Sequence, residues 1–197
     1  MENLLNLHLN LKTKKYKHSG YRAFKISDPK PRDIHKASVR DRLLHHAIYR
    51  MLYPFFDKKF IYDSYSCRIG KGTHRAMDRF RHFFRRTSKN NTRTCYVLKC
   101  DIRKFFANID HDILKKILAK HIGEADTLWL LTTVIDSFST TWTPGVQVGL
   151  PLGNLTSQLL VNVYMNEFDQ FVEHRLKVKC YISMPMILPS SRKTRNM

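Results

Sequence analysis

The chain is short of acid. Its 197 residues hold 16 Asp and Glu against 35 Lys and Arg, a formal net charge of +19. It lacks any Cys-x-x-Cys pair among its four cysteines (Cys67, Cys95, Cys100, Cys180), which argues against a structural zinc site. None of its 10 histidines stands in a His-Glu-x-x-His pattern, so the usual zinc-hydrolase signature is absent. No apolar run reaches membrane-spanning length, and the N-terminus has no signal-peptide core. A reducing cytoplasm fits that composition. Lys71-Gly72-Thr73 lacks the upstream glycine of a phosphate-binding loop, which excludes an NTPase of that class.

What is present is uneven. Residues 1–100 hold 24 Lys and Arg against 7 Asp and Glu, and residues 101–197 hold 11 against 9. The first half reads as a surface for phosphates, and nucleic acid is the favoured partner over an anionic membrane. A basic surface with no specific ligand is the bland alternative. The 43% hydrophobic content is enough for a folded core.

The pattern is α+β. Residues 1–20 read as a short helix and a basic linker. Tyr21 to Ile34 read as a hairpin turning at Asp28-Pro29-Lys30-Pro31. Val39, Leu43, Ala47, Ile48, Met51, Leu52 and Phe55 recur at helical spacing, with Ser38 as N-cap and Pro54 at the end. Thr73 caps a second helix toward Arg86. Cys95 to Asp101 read as an apolar strand, and Asp110-His111-Asp112 opens a third helix toward His121. Residues 124–138 read as helix and Thr143-Pro144-Gly145 as a turn. A long helix follows Gly153, and a short strand begins near Val178.

Three segments carry candidate chemistry. Asp101 ends the strand, where a carboxylate is held rigidly enough for a divalent metal; capping the next turn is its ordinary role. Phe105 and Phe106 follow. Core packing accounts for Phe105, whereas a rigid ring at Phe106 suits a sugar gate that excludes a 2′-hydroxyl. Gly149-Leu150-Pro151-Leu152-Gly153 opens a helix bearing Ser157 and Gln158, and free N–H groups at a helix start favour phosphate. Asp63 to His74, with Arg68, Lys71 and two glycines, suits a phosphodiester strand.

In this order the segments resemble a bacterial reverse transcriptase of the retron and group II intron type. Ser38-Val39-Arg40-Asp41-Arg42 resembles its first motif and Ser64 to Ala76 the second. Leu98 to His111 resembles the third, with the first catalytic aspartate, and Gly149 to Gln158 the fourth. The resemblance spans about Tyr21 to Ile182. Leu152-Gly153 followed by Ser157-Gln158 resembles the branch found in diversity-generating retroelements, which copy a template-repeat RNA with errors at adenines.

The resemblance implies a right-hand polymerase with an incomplete antiparallel palm sheet. Its parts are a basic extension (1–20), fingers (21–94), a partial palm (95–182) and a tail (183–197). It implies Mg²⁺ on the Asp101 carboxylate and the Ile102 carbonyl. Arg32 would meet the triphosphate, with Phe106, Pro151, Leu152, Gly153, Ser157 and Gln158 around the incoming nucleotide. Arg40, Arg42, Arg68, Lys71 and His74 would hold the template. Implied partners are an RNA template, a DNA primer, deoxynucleoside triphosphates and a basic accessory protein, with no membrane. The alternative from another class is a non-catalytic basic RNA-binding protein.

The family's Tyr-x-Asp-Asp motif should follow Tyr181-Ile182, yet the chain reads Ser183-Met184-Pro185-Met186-Ile187-Leu188. Met184 to Ile187 require the codons ATG CCN ATG ATH. One base earlier, these read NAT GCC NAT GAT. The second Asp is forced there, Tyr, Ala and the first Asp are permitted, and Phe fits the next codon. The expectation is a frame change just before Met184, leaving an out-of-frame tail and an inactive chain.

Overall fold

The computed structural model describes residues 2–27, 31–140 and 145–184. Order begins with α1 (Glu2–Lys12), followed by an antiparallel hairpin of β1 (Arg22–Ile26) and β2 (Arg32–Lys36). Its register pairs Arg22 with Lys36, Phe24 with Ile34 and Ile26 with Arg32. The expected turn at residues 28–30 lies outside the described residues, as do most of the turn at 143–145 and all of the tail from Pro185.

Helix α2 (Val39–Asp57) starts at Ser38, whose Oγ accepts from the Asp41 amide at 3.2 Å, as expected of an N-cap. The helix does not stop at Pro54. It runs through to Asp57, because Pro54 sits on the solvent side while Tyr53 and Phe56 are buried beside it. The buried stripe also differs from the one read by spacing. Asp41, Leu44, His45, Ile48 and Phe56 face inward, whereas Val39, Leu43, Met51 and Phe55 are exposed. Both stripes satisfy the helical period, and the polar partners of Asp41 and His45 decide between them.

Helix α3 spans Thr73–Thr87 with Gly72, not Thr73, at the cap position. Asp110 caps α4 (His111–His121) by accepting from the Ile113 amide at 2.9 Å. Glu124 caps the shorter-than-expected α5 (Ala125–Ile135) through the Asp126 and Thr127 amides. Helix α6 (Leu155–Gln170) begins after Asn154, and Phe171–Arg175 continue it as a π-helical turn.

Helix α6 packs on α2 and α4, α5 packs on α4, and α1 packs on α2. Leu44, Ile48, Phe56, Leu114, Leu118, Leu131, Ile135, Leu159, Leu160 and Val163 form their shared core. Each such side chain contributes about 1.5–3 kcal/mol of burial.

Two expected strands are absent. Residues 94–102 have no regular structure, and the same holds at Val178. A strand needs a neighbour for its backbone N–H and C=O groups. Among the described residues no strand flanks 94–102, so Tyr96 and Leu98 remain 94% and 89% exposed. The sole sheet among the described residues is the hairpin, and the palm sheet is not formed there. The molecule is mixed but predominantly helical. Among the described residues no helix is long and apolar enough to cross a membrane.

Candidate functional site

Backbone bonds tie the third and fourth motifs together. The Gly149 amide donates to Ile109 O at 2.8 Å and the Leu150 amide to Phe106 O at 2.8 Å. The His111 amide donates to Gln147 O at 3.1 Å, and Asp110 and Val148 form an antiparallel bridge. Thr140 Oγ1 donates to Ala107 O at 2.7 Å. The buried His111 ring adds a bond between Nε2 and Gly149 O at 2.7 Å, while its Nδ1 lies 3.4 Å from Asp136 Oδ1.

Gly149 has φ +101°, and a Cβ there would lie 2.7 Å from Thr140 Cγ2 and 3.2 Å from Ala107 O. Only glycine meets both the left-handed backbone and the close approach.

The same turn meets the hairpin. The His35 amide donates to Leu152 O at 2.9 Å, and Asn154 Nδ2 donates to His35 O at 2.8 Å. Gly153 has φ +99°, with Ile34 Cγ2 lying 2.7 Å from where its Cβ would be. Leu152 is half-buried, Gly153 exposed, Pro151 and Ser157 buried and Gln158 half-buried. Phe106, like Phe105, is half-buried against the core. Arg32 lies at the turn end of β2.

The second-motif loop is braced by ion pairs. Arg68 Nε donates to Asp57 Oδ1 at 2.7 Å, its Nη1 to Ile61 O and Ser64 O, and its side chain is 8% exposed. Burial opposes ionisation of Asp57, but the Arg68 and Tyr53 hydrogen bonds win and hold its carboxyl below its ordinary value. Arg79 grips both oxygens of Asp63 at 2.8 and 2.9 Å. Lys71 Nζ donates to Tyr62 O and lies 3.8 Å from the Tyr62 ring centroid, a cation–π distance. Burial, then Arg68, lowers its pKa. His74 is exposed on the first turn of α3.

Arg40 is likewise engaged internally. It bonds Asp41 Oδ1, Lys17 O and Ser19 Oγ and lies over Tyr16. Asp41 is fully buried and accepts from Tyr16 Oη at 2.8 Å, Ser38 Oγ at 2.7 Å and the Ser19 amide at 3.0 Å. Burial opposes its charge, but the Ser38 and Tyr16 bonds, His18 and Ser19 outweigh it and hold the carboxyl well below the usual range. Reading by motif missed this residue as a structural centre. Ser38-Val39-Arg40-Asp41 has capping-box spacing, and that signal would have found it.

Asp101 is exposed, as is Ile102. Among the described residues no three His, Cys, Asp or Glu side chains gather where a metal ion would bind. A lone exposed carboxylate and a carbonyl do not fit a divalent-metal site of the two-metal type, which needs carboxylates from several segments.

The chain belongs to the reverse transcriptase family: the family model described as Reverse transcriptase (RNA-dependent DNA polymerase) matches residues 17–184. Among curated proteins it is similar to Protein YkfC of Escherichia coli (strain K12), 27% identical over 151 residues, which cover 76% of this chain and 39% of that protein. It is 28% identical over 170 residues to the Putative COX1/OXI3 intron 1 protein of Saccharomyces cerevisiae, covering 83% of this chain and 19% of that one. It is 26% identical over 140 residues to an Uncharacterized 91 kDa protein in cob intron of Schizosaccharomyces pombe, covering 70% and 16%. The chain therefore spans about two-fifths or less of the curated relatives it matches.

Proposed function

We propose that this chain is the fingers and partial palm of an RNA-directed DNA polymerase of the diversity-generating retroelement branch. The observation that carries the polymerase reading is the double junction at the glycine turn. Gly149 and Leu150 bond back to Ile109 and Phe106, while Leu152 accepts from His35 of the hairpin. That arrangement brings Phe106, Leu152, Gly153 and the Arg32-bearing strand into one neighbourhood. In the reaction proposed, a primer 3′-hydroxyl attacks the α-phosphate of a deoxynucleoside triphosphate, forming the new phosphodiester and releasing pyrophosphate. Arg32 steadies the triphosphate, Phe106 gates the sugar, and Leu152 and Gly153 lie beneath the base. Arg42, Lys71 and His74 track the template, and Arg68 and Arg40 hold the surface that presents them.

This chain by itself is proposed to be inactive, because among the described residues Asp101 belongs to no group of three His, Cys, Asp or Glu side chains that could share magnesium. The codons required by Met184 to Ile187 support a lost Tyr-Ala-Asp-Asp segment in the neighbouring frame. The second reading, a non-catalytic RNA-binding protein, is favoured by the same isolated Asp101 and describes what the chain does alone.

The test pairs RNA binding with primer extension on a template–primer duplex. Binding that weakens steeply with salt, with no extension product, is the expected result. Full-length product overturns the inactivity, and salt-independent binding overturns the nucleic-acid reading.

A further inference from the structure

The segment Thr94 to Ile102 has the composition of a strand, yet among the described residues none of its backbone amides or carbonyls has a backbone partner. Tyr96, Leu98 and Val97 are 94%, 89% and 58% exposed. Arg93, Lys99 and Asp101 are exposed as well, and among the described residues none of these three side chains has a partner. An unpaired row of N–H and C=O groups carrying apolar side chains invites a strand from another chain.

A second copy supplies a strand that matches. Laid antiparallel on itself with Val97 opposite Val97, the segment sets Arg93 opposite Asp101 at both ends. Tyr96 falls opposite Leu98 twice, so four apolar side chains meet on one face, and Lys99 falls opposite Cys95. Opposite charges and apolar pairs are the favourable cross-strand neighbours, and like charges directly opposed are unfavourable. Other registers lose this match. A slip of one residue leaves Arg93 opposite Ile102 or Cys100, and a slip of two opposes it to Arg103 or Lys99. A parallel pairing in register would oppose Arg93, Lys99 and Asp101 each to itself. The antiparallel pairing is two-fold and self-complementary, so it closes at two copies.

We propose that residues 93–101 of two copies of this chain pair as an antiparallel ribbon centred on Val97. The proposal goes beyond the polymerase reading and does not need it, since exposure, charge and register carry it. Nine residues from each copy make a small contact beside the roughly 1,200 Å² of a stable interface, and a two-stranded ribbon is marginal alone. The dimer is therefore weak, forming as concentration rises and separating on dilution.

The experiment is sedimentation equilibrium of the full, nuclease-treated chain over a range of concentrations at low salt. The mass should rise from 23.4 kDa toward twice that value. Arg93→Asp or Asp101→Arg alone sets like charges opposite each other at both ends, and the dissociation constant should rise about tenfold. The two substitutions together restore opposite charges and should bring it back to within about twofold of the native value. Circular dichroism checks that each variant is folded, and rescue by the exchange of charges is a result that misfolding does not give. Val97→Cys should cross-link residue 97 of one copy to residue 97 of the other on mild oxidation, a bond no single chain can make. A chain that stays monomeric at every concentration overturns the proposal. So does a dimer indifferent to the charge changes, or a disulfide joining Cys95 of one copy to Cys100 of the other, which marks the register slipped by one. Growth past the dimer overturns it too, since that is open edge-to-edge stacking. RNA binding is read separately, so failure here leaves the polymerase reading standing.

Discussion

The His35 amide donates to the Leu152 carbonyl at 2.9 Å, so the β1–β2 hairpin and the glycine turn share a backbone junction. Asn154 completes it by donating from its side chain to His35 O. A two-stranded ribbon is marginal alone. Here its free edge is covered by the turn, which fixes the height at which the hairpin's basic face stands over Gly153.

Gly153→Ala should break that junction. Its left-handed backbone and the nearby Ile34 methyl both exclude a Cβ. A loss of about 1–3 kcal/mol is expected, or roughly 2–4 °C in Tm per kcal/mol. Adding Ile34→Ala relieves the clash but not the backbone strain. The double variant should therefore recover only part of the loss in thermal melts, and a melt unchanged by Gly153→Ala refutes the junction.

Stability should fall in mild acid. His45 is buried, and burial, then the neighbouring His18, pushes its pKa from the ordinary 6.5 down to about 4. Its Nε2 lies 3.1 Å from His18 Nε2, with Asp41 and His46 the other titratable neighbours; Tyr21 Oη bonds His18, not His45. The unfolded chain takes up a proton near pH 6.5 and the folded chain only near 4. Stability is thus full above 6.5 and declines between those values, by roughly 3 kcal/mol in total. Below that window Asp41, whose carboxyl is depressed in the fold, adds its own loss. Urea midpoints measured at neutral pH and near pH 5 should differ for the native chain and much less for His45→Gln. An equal drop in both would assign the effect elsewhere.

The helices were readable because their caps are local. Ser38 and Asp110 each bond an amide three residues on, and the sequence carries that spacing openly. The hairpin was readable for the same reason. The buried face of α2 was not, because Leu43 and Leu44 fit the period equally and only the distant Tyr16, His18 and Ser19 choose between them. Cys95 to Asp101 has strand composition, yet strand formation is a property of a pair, and composition cannot supply the neighbour. The family motifs located the glycine turn. They did not reveal that Arg68 and Arg40 are spent on Asp57 and Asp41.

Arg68→Ala separates bracing from template contact. It leaves Asp57 without its guanidinium and removes the bonds to Ile61 O and Ser64 O. A loss of about 2–4 kcal/mol is expected in chemical denaturation, near the low end for a broken buried pair because Asp57 is partly exposed. At temperatures where the variant remains folded, its RNA-binding salt slope should match the native chain. A slope reduced by the increment of one phosphate would instead make Arg68 a template contact.

Restoring the reading frame is the sharpest test of the proposed inactivity. A one-base shift at the last position of the Ser183 codon forces one aspartate and permits the rest of Tyr-Ala-Asp-Asp-Phe. That hairpin would give residues 94–102 the strand neighbour they lack among the described residues and Asp101 the acidic company a two-metal site needs. Two readouts are expected to change together. Exposed Tyr96 should become protected, seen as slowed hydrogen exchange across 95–101, and primer extension should appear and be abolished by Asp101→Asn. Protection without extension would keep the structural proposal and sink the catalytic one. Genomic codons that do not spell an aspartate pair in the neighbouring frame would sink both, since the missing strand would then have no encoded source beside Ile182.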